Sequence, residues 1–446
     1  MPQQHDPEGR RLPIKLDTTT NGEFAPVPLE PVHHHARRLA SDLAAENAKR
    51  RGVSRRSFLV STCGAASTLL AMNSAYAAAG RNGGFFDLAD AAAVDPEMAA
   101  AGLDGKEFIF DVQGHFVNPD GAWLKQVPTG AKPLSSFQKS GCALANQPGK
   151  RSYLQCLSSD EFIKDVFMDS DTDMMVLSFV PSRRDAEPLT IEEAAATAEI
   201  VERMEGTHRL LIHGRVNPNQ DGDVQGMDEL ASRWKVSAWK TYTQWGPDGK
   251  GYFLSDDIGL AFVEKARKLG IKNICVHKGI PFGRQSYEHS LCDDIGKVAK
   301  RYPDVNFLIY HSGFVPGQAE GPYNPKRNEG IDSLIKSAVE NEVPRNSNVY
   351  AELGSTWRQL MRDPDSAAHA LGKLFKYIGE DNVLWGTDSI WYGSPQDQIQ
   401  AFRTFQISEQ LREKHGYPEI TPKLRAKVFG LNAMKPYRIS ADEMKR

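Results

Sequence analysis

Four residues at the ends of short apolar, β-branched runs are of types that could do chemistry together. They are His115 in Phe110-Asp111-Val112-Gln113-Gly114-His115, His277 in Ile274-Cys275-Val276-His277-Lys278-Gly279, His311 in Leu308-Ile309-Tyr310-His311-Ser312-Gly313, and Asp388 in Leu384-Trp385-Gly386-Thr387-Asp388. Singly, each is as often a satisfied structural residue as a ligand. Three imidazoles and a carboxylate converging on one place are donors that suit zinc or a similar divalent ion, and such an ion lowers the pKa of a bound water toward neutrality. Lys240, in Ala238-Trp239-Lys240-Thr241-Tyr242, adds a cation. It would bind a substrate carboxylate or stabilise developing negative charge, or else snorkel to a rim.

These side chains meet only if the strands that carry them are neighbours. The candidate strands are Phe108-Asp111, Met174-Phe179, Leu210-Val216, Val236-Tyr242, Asn273-His277, Asn306-His311, Val349-Leu353 and Val383-Asp388, separated by amphipathic or Ala-rich segments. Eight β-then-α units predict an α/β fold, a (β/α)8 TIM barrel within residues 106–440, in which the C-terminal strand ends open onto one mouth. A doubly wound open sheet is the alternative. No G-x-G-x-x-G follows the first strand and no phosphate loop of the G-x-x-x-x-G-K type occurs, so a nucleotide cofactor is disfavoured. The longest insertion, residues 117–160 with Trp123, Phe137 and Tyr153, is expected to cap the mouth. Arg284 and His289 after the fifth strand, and Arg327 after the sixth, are candidate substrate contacts without a motif behind them. Trp391 and Tyr392 would wall the pocket, and His213 and Cys275 read as core.

The whole chain has 446 residues with 54 Lys plus Arg against 57 Asp plus Glu, a balance that argues against a nucleic-acid partner. Residues 1–53, Pro-rich and charged, read as a disordered extension in which His33-His34-His35 is incidental. Ser54-Arg55-Arg56-Ser57-Phe58-Leu59 then opens a stretch without charge up to Arg81. This pattern over 54–77 is that of a twin-arginine signal peptide cleaved after Ala77, with residues 78–105 as a linker. Ser, Thr, Gly and Asn interrupt the apolar run and argue against a stable membrane anchor. The expected location is periplasmic or extracellular, with the twin-arginine export machinery as a partner. There Cys142 and Cys156 could pair across a loop. A homo-oligomer is compatible with the sequence.

The strand-one D-x-x-x-H segment, strand-five H-K-G, strand-six Y-H-S-G and strand-eight W-G-T-D resemble the amidohydrolase-related metal-dependent hydrolases, in the branch of the aminocarboxymuconate-semialdehyde decarboxylase-like enzymes. The likeness runs from Phe108 to Tyr437 and includes a closing segment, Asn432-Ala433-Met434-Lys435-Pro436-Tyr437, similar to the family's N-A-x-x-x-Y helix. The resemblance implies one divalent ion, zinc or else manganese, on His115, His277 and Asp388, with His311 as a catalytic non-ligand. The family's first strand carries H-x-H, or a glutamate for the first histidine in some decarboxylases. Here Gln113 stands in that place and offers only a weak carbonyl donor, so a binuclear site bridged by a carboxylated Lys240 is not expected.

Three functions follow. The first is a hydrolase acting on a small-molecule amide, ester or lactone, in which metal and Asp388 generate hydroxide and His311 stabilises the oxyanion or moves a proton. The alternative is a non-oxidative carboxy-lyase, in which the metal chelates a substrate carboxylate and His311 or Asp388 delivers a proton to carbon. The third, motivated by Gln113, is a metal-free barrel that binds a small molecule.

Overall fold

The computed structural model describes residues 11–134, 152–281 and 286–440. Eight parallel strands follow one another in sequence order around a sheet: β1 (Phe110–Gly114), β2 (Met174–Leu177), β3 (Leu210–Arg215), β4 (Ala238–Tyr242), β5 (Asn273–His277), β6 (Asn306–Tyr310), β7 (Val349–Glu352) and β8 (Val383–Leu384). The sheet closes through the residues after β8. The Val112 amide donates to the Trp385 carbonyl at 3.0 Å and the Asp388 amide to the Gln113 carbonyl at 3.0 Å, and Gly114 bridges to Ser389. The protein is a (β/α)8 barrel, as the alternation of elements predicts.

Most strand ends fall within two residues of expectation; two differ by more, for physical reasons. β1 runs on to Gly114 rather than stopping at Asp111, because the buried Asp111 carboxylate is satisfied by the Gln113 amide, the Thr387 amide and the Thr387 hydroxyl. A buried carboxyl group with partners for both oxygens does not end a strand. β8 is regular only to Leu384, and Asp388 follows in a left-handed conformation (φ 60°) that a strand cannot hold.

The front of the chain is the largest departure. Instead of a disordered extension, residues 31–50 form helix α1 (Pro31–Arg50). Val32, Ala36, Ala40, Ala44 and Ala48 recur every four residues and are buried, the stripe by which a helix docks. Alanine adds little hydropathy, so the stripe is faint in composition. The residues of the expected signal, 54–77, fold as α2 (Arg55–Leu59) and α3 (Thr62–Ala78). Phe58, Cys63, Leu69, Met72 and Tyr76 are buried in the same core cluster as Ala36 and Phe405. Asn47 on α1 donates to Ser67 on α3 at 3.3 Å, and Arg55 donates to Ser41 at 2.8 Å. His33 is consumed structurally: Nδ1 accepts from the Glu30 amide at 2.8 Å and Nε2 donates to the Arg362 carbonyl at 2.9 Å. Residues 78–105 are also more than a linker. Gly84–Phe86 pairs antiparallel with Phe405–Ile407, and Pro96–Leu103 is a helix.

Within the expected cap, Trp123, Leu154 and Leu157 form one apolar cluster with Phe162, Trp391 and Tyr392 beside the mouth. Phe137 lies outside the described residues. So does Cys142 of the expected disulfide, while Cys156 is disulfide-bonded. Cys63, Cys275 and Cys292 are free and buried. Among the described residues no helix is long and apolar enough to cross a membrane.

Candidate active site

The strand ends and the first described residues of the chain meet at the C-terminal mouth of the barrel, where the titratable groups fall into two halves. The first half joins β1 to the turn after β8. His115 is buried; its Nδ1 donates to the Ser178 carbonyl at 3.0 Å, so the bare lone pair belongs to Nε2. That Nε2 lies 3.1 Å from Asp388 Oδ1. The Gln113 side-chain nitrogen approaches the same imidazole nitrogen at 3.2 Å. Gln113 Nε2 also donates to Asp388 Oδ1, at 3.0 Å. Asp388 Oδ2 accepts from Asn21 Nδ2 at 2.9 Å and from the Ser355 hydroxyl. Burial pushes the Asp388 carboxyl up, but the contacts with His115, the nearby His311 and Ser355 outweigh it and hold it well below the usual carboxylate range. Trp391 stacks on the His115 ring with centroids 5.4 Å apart.

The second half lies at β5 and β6. His277, fully buried, donates from Nε2 to the Ile280 carbonyl at 3.2 Å, leaving Nδ1 as the acceptor nitrogen. His311 donates from Nδ1 to the Gly354 carbonyl at 2.6 Å, which leaves Nε2 bare and without a hydrogen-bond partner. Its backbone is left-handed (φ 66°), held there by the Glu352 carboxylate accepting from its amide at 2.9 Å. Such conformations persist where surrounding contacts impose them, commonly at working sites. Burial keeps both imidazoles neutral: His311 is pushed down to about 4, and His277 well below the ordinary value, with His311 adding to its shift. The two rings meet edge to face at 4.4 Å.

The third member of this half comes from a segment with no motif. Glu23 Oε1 lies 3.8 Å from His277 Nδ1. Glu23, His277 and His311 are the one group among the described residues whose carboxylate and imidazole donors all lie within 4.8 Å of one another. His115 and Asp388, which the resemblance makes ligands, face each other instead, and His311, which it makes a non-ligand, stands in the donor group. Asn21 joins the halves by donating one amide hydrogen to Glu23 Oε2 at 2.6 Å and the other to Asp388. Nothing in the sequence around Thr20-Asn21-Gly22-Glu23 signals this beyond an Asn-Gly turn.

Lys240 is fully buried rather than snorkelling. Its Nζ lies 3.7 Å from the Tyr310 ring centroid and 4.8 Å from that of Tyr242, with no hydrogen-bond partner. Burial lowers it to about 8, against the pull of Cys275, Glu352, Asp388 and Glu23. The other expected substrate contacts do not gather here. His289 packs against Phe253 with ring centroids 4.5 Å apart, Arg327 donates to Gln318 at 2.9 Å, and Arg284 lies outside the described residues. His213 is core as expected, 3.2 Å from the Tyr437 hydroxyl. A cleft of about 530 Å³ lies between residues 11–17 and α1, lined by Arg11, Lys15, Arg37 and Arg38, away from the histidines.

The donor chemistry fits a divalent cation. Two neutral imidazoles with a nitrogen acceptor each and a carboxylate are the ligand types such an ion takes, and the unpartnered His311 Nε2 is a buried atom that an ion would satisfy.

Comparison with known proteins adds a family. The family model described as Amidohydrolase matches residues 160–439. No curated protein matches the chain. Among solved structures, 5-carboxyvanillate decarboxylase from Sphingomonas paucimobilis is similar with 12% identity over 75% of this chain and 100% of that one, at a TM-score of 0.47. For 2,6-dihydroxybenzoate decarboxylase from Rhizobium the figures are 13%, 75%, 99% and 0.43. For 4-oxalomesaconate hydratase from Rhodopseudomonas palustris they are 16%, 74%, 96% and 0.42.

Proposed function

The chain belongs to the amidohydrolase family, and from that premise we propose that it is a metal-dependent carboxy-lyase acting on a small carboxylic acid. The observation that carries this reading is the Lys240 ammonium, fully buried in the barrel with no hydrogen-bonding partner. A buried cation without an anion in contact is costly, and a carboxylate from outside the chain relieves that cost. A carboxy-lyase substrate brings one.

The hydrolytic reading ranks second because of Asp388. A carboxylate has about four lone-pair positions. Gln113, His115, Asn21 and Ser355 already approach all of them, so none is open to take a proton from water. Decarboxylation does not ask Asp388 to take that proton. Lys240 seats the carboxylate; the bond to the carboxylate carbon breaks, leaving its electron pair on the substrate as carbon dioxide departs. A proton from water then takes the place of carbon dioxide on that carbon. A divalent ion, zinc or manganese, held on the His277 and His311 side would supply Lewis acidity toward a substrate oxygen.

The test is carbon dioxide release from hydroxybenzoate-type and other small acids, run beside ester, amide and lactone substrates. Carbon dioxide is expected from an acid. Lys240→Met should lower kcat/KM by about tenfold to a hundredfold, the value of a charge-assisted contact. Turnover of a lactone or ester with no carbon dioxide from any acid would return the hydrolase reading.

A further inference from the structure

We propose that the segment ahead of the arginine pair is a permanent part of the active site, and that Glu23 completes a divalent-cation site with His277 and His311. The inference rests on the mouth being the active site, and not on which bond is broken there.

Three observations carry it. Glu23 offers a carboxylate oxygen to the group in which His277 and His311 supply the other donors, all within 4.8 Å of one another. His311 Nε2, in a side chain with no exposure, has no hydrogen-bond partner, and the bond from Nδ1 to Gly354 fixes the tautomer that leaves its lone pair available. Glu23 is also held in place. Asn21 Nδ2 binds its other oxygen at 2.6 Å, the Asn21 side-chain Oδ1 accepts from the Glu23 amide at 3.1 Å, and Gly22 turns the chain between them at φ 84°.

The segment is fastened to the barrel rather than lying loosely across it. Lys15 pairs with Asp397 at 2.8 Å and donates to the Ser394 carbonyl at 2.9 Å. Asp17 accepts from Arg358 at 2.6 Å, and the Asp17 carbonyl accepts from Arg362 at 2.6 Å. Ile14 and Leu16 are buried in the main core, and Thr20 and Asn21 are covered. Behind the segment, α1 and α3 are packed into the same core. A chain beginning after Ala77 would lose the third cation donor, the bridge to Asp388 and part of its core together.

The test is manganese titration by calorimetry on the full chain, read without any turnover, beside intact-mass analysis of the active protein. One ion per chain is expected. Glu23→Gln and His311→Gln should each weaken binding by at least about tenfold, since loss even of a group supporting a ligand costs that much. Glu23→Asp, which keeps the charge, should recover part of the affinity, and Glu46→Gln on the exposed face of α1 should bind as the unaltered chain does. Thermal midpoints without ion show whether each variant is folded. Glu23→Gln that binds manganese as tightly as the unaltered chain would overturn the proposal, as would an active protein whose mass begins after Ala77. A failure of carbon dioxide release leaves this result untouched; a manganese failure would remove the ion from the proposed reaction, while carbon dioxide release is read separately.

Discussion

Lys240 is where pH should act most directly on substrate capture. Burial holds it at about 8, with Cys275, Glu352, Asp388 and Glu23 pulling the other way. The ammonium is present below that value and lost above it, so KM for the carboxylate substrate should rise as pH passes through about 8. In Lys240→Met that inflection should vanish from the KM profile while KM stays high throughout. The chemistry-bearing residues read from the sequence, His115, His277, His311, Asp388 and Lys240, do reach one mouth, because each sits at or near the end of a strand whose period and composition are visible locally. Their pairing is not legible there. Which imidazole nitrogen faces inward depends on the Ser178, Ile280 and Gly354 carbonyls, and those acceptors are set by tertiary packing. Asn21 and Glu23 are illegible for a stronger reason: ordinary polar residues in a turn become site residues only through contacts with Asp388 and His277, far along the chain.

At the scale of elements, buried charge is used to fix helices against the barrel. Lys373, at the end of the helix Pro364–Lys373, is fully buried and pairs with Glu320 and, at 2.7 Å, with Asp332 on the helix Ile331–Glu340. Lys373→Met would leave the buried Asp332 without this cation and Glu320 with Arg327 alone, at 3.6 Å, an imbalance worth about 3–5 kcal/mol. The urea midpoint should fall accordingly, with little change in the manganese affinity of the molecules that remain folded. The strands are readable as runs of β-branched and aromatic residues, and the barrel follows from their alternation with helices. α1 is not, since alanines at four-residue spacing bury a face without looking hydrophobic, and α3 reads as an address because a small-residue helix in a core and a leader peptide share a composition.

At the scale of the molecule, the chain's beginning lies over the mouth that its middle and end build. Thr20 is 0% and Asn21 1% exposed, and the Glu23 side chain is 12% exposed. An ion held as proposed would leave when this stretch lifts, with the contacts of Lys15 and Asp17 opened. Loss of manganese to excess chelator should therefore be first order, with a rate that stays constant as chelator is raised; a rate that climbs with chelator would mean an open path. Opening of a fastened segment is a local unfolding event. Substrate and product passing by the same route would make time, more than affinity, the quantity this cover controls. Substrates of unequal intrinsic reactivity should then converge on one maximal turnover rate, the rate at which the front of the chain lets go.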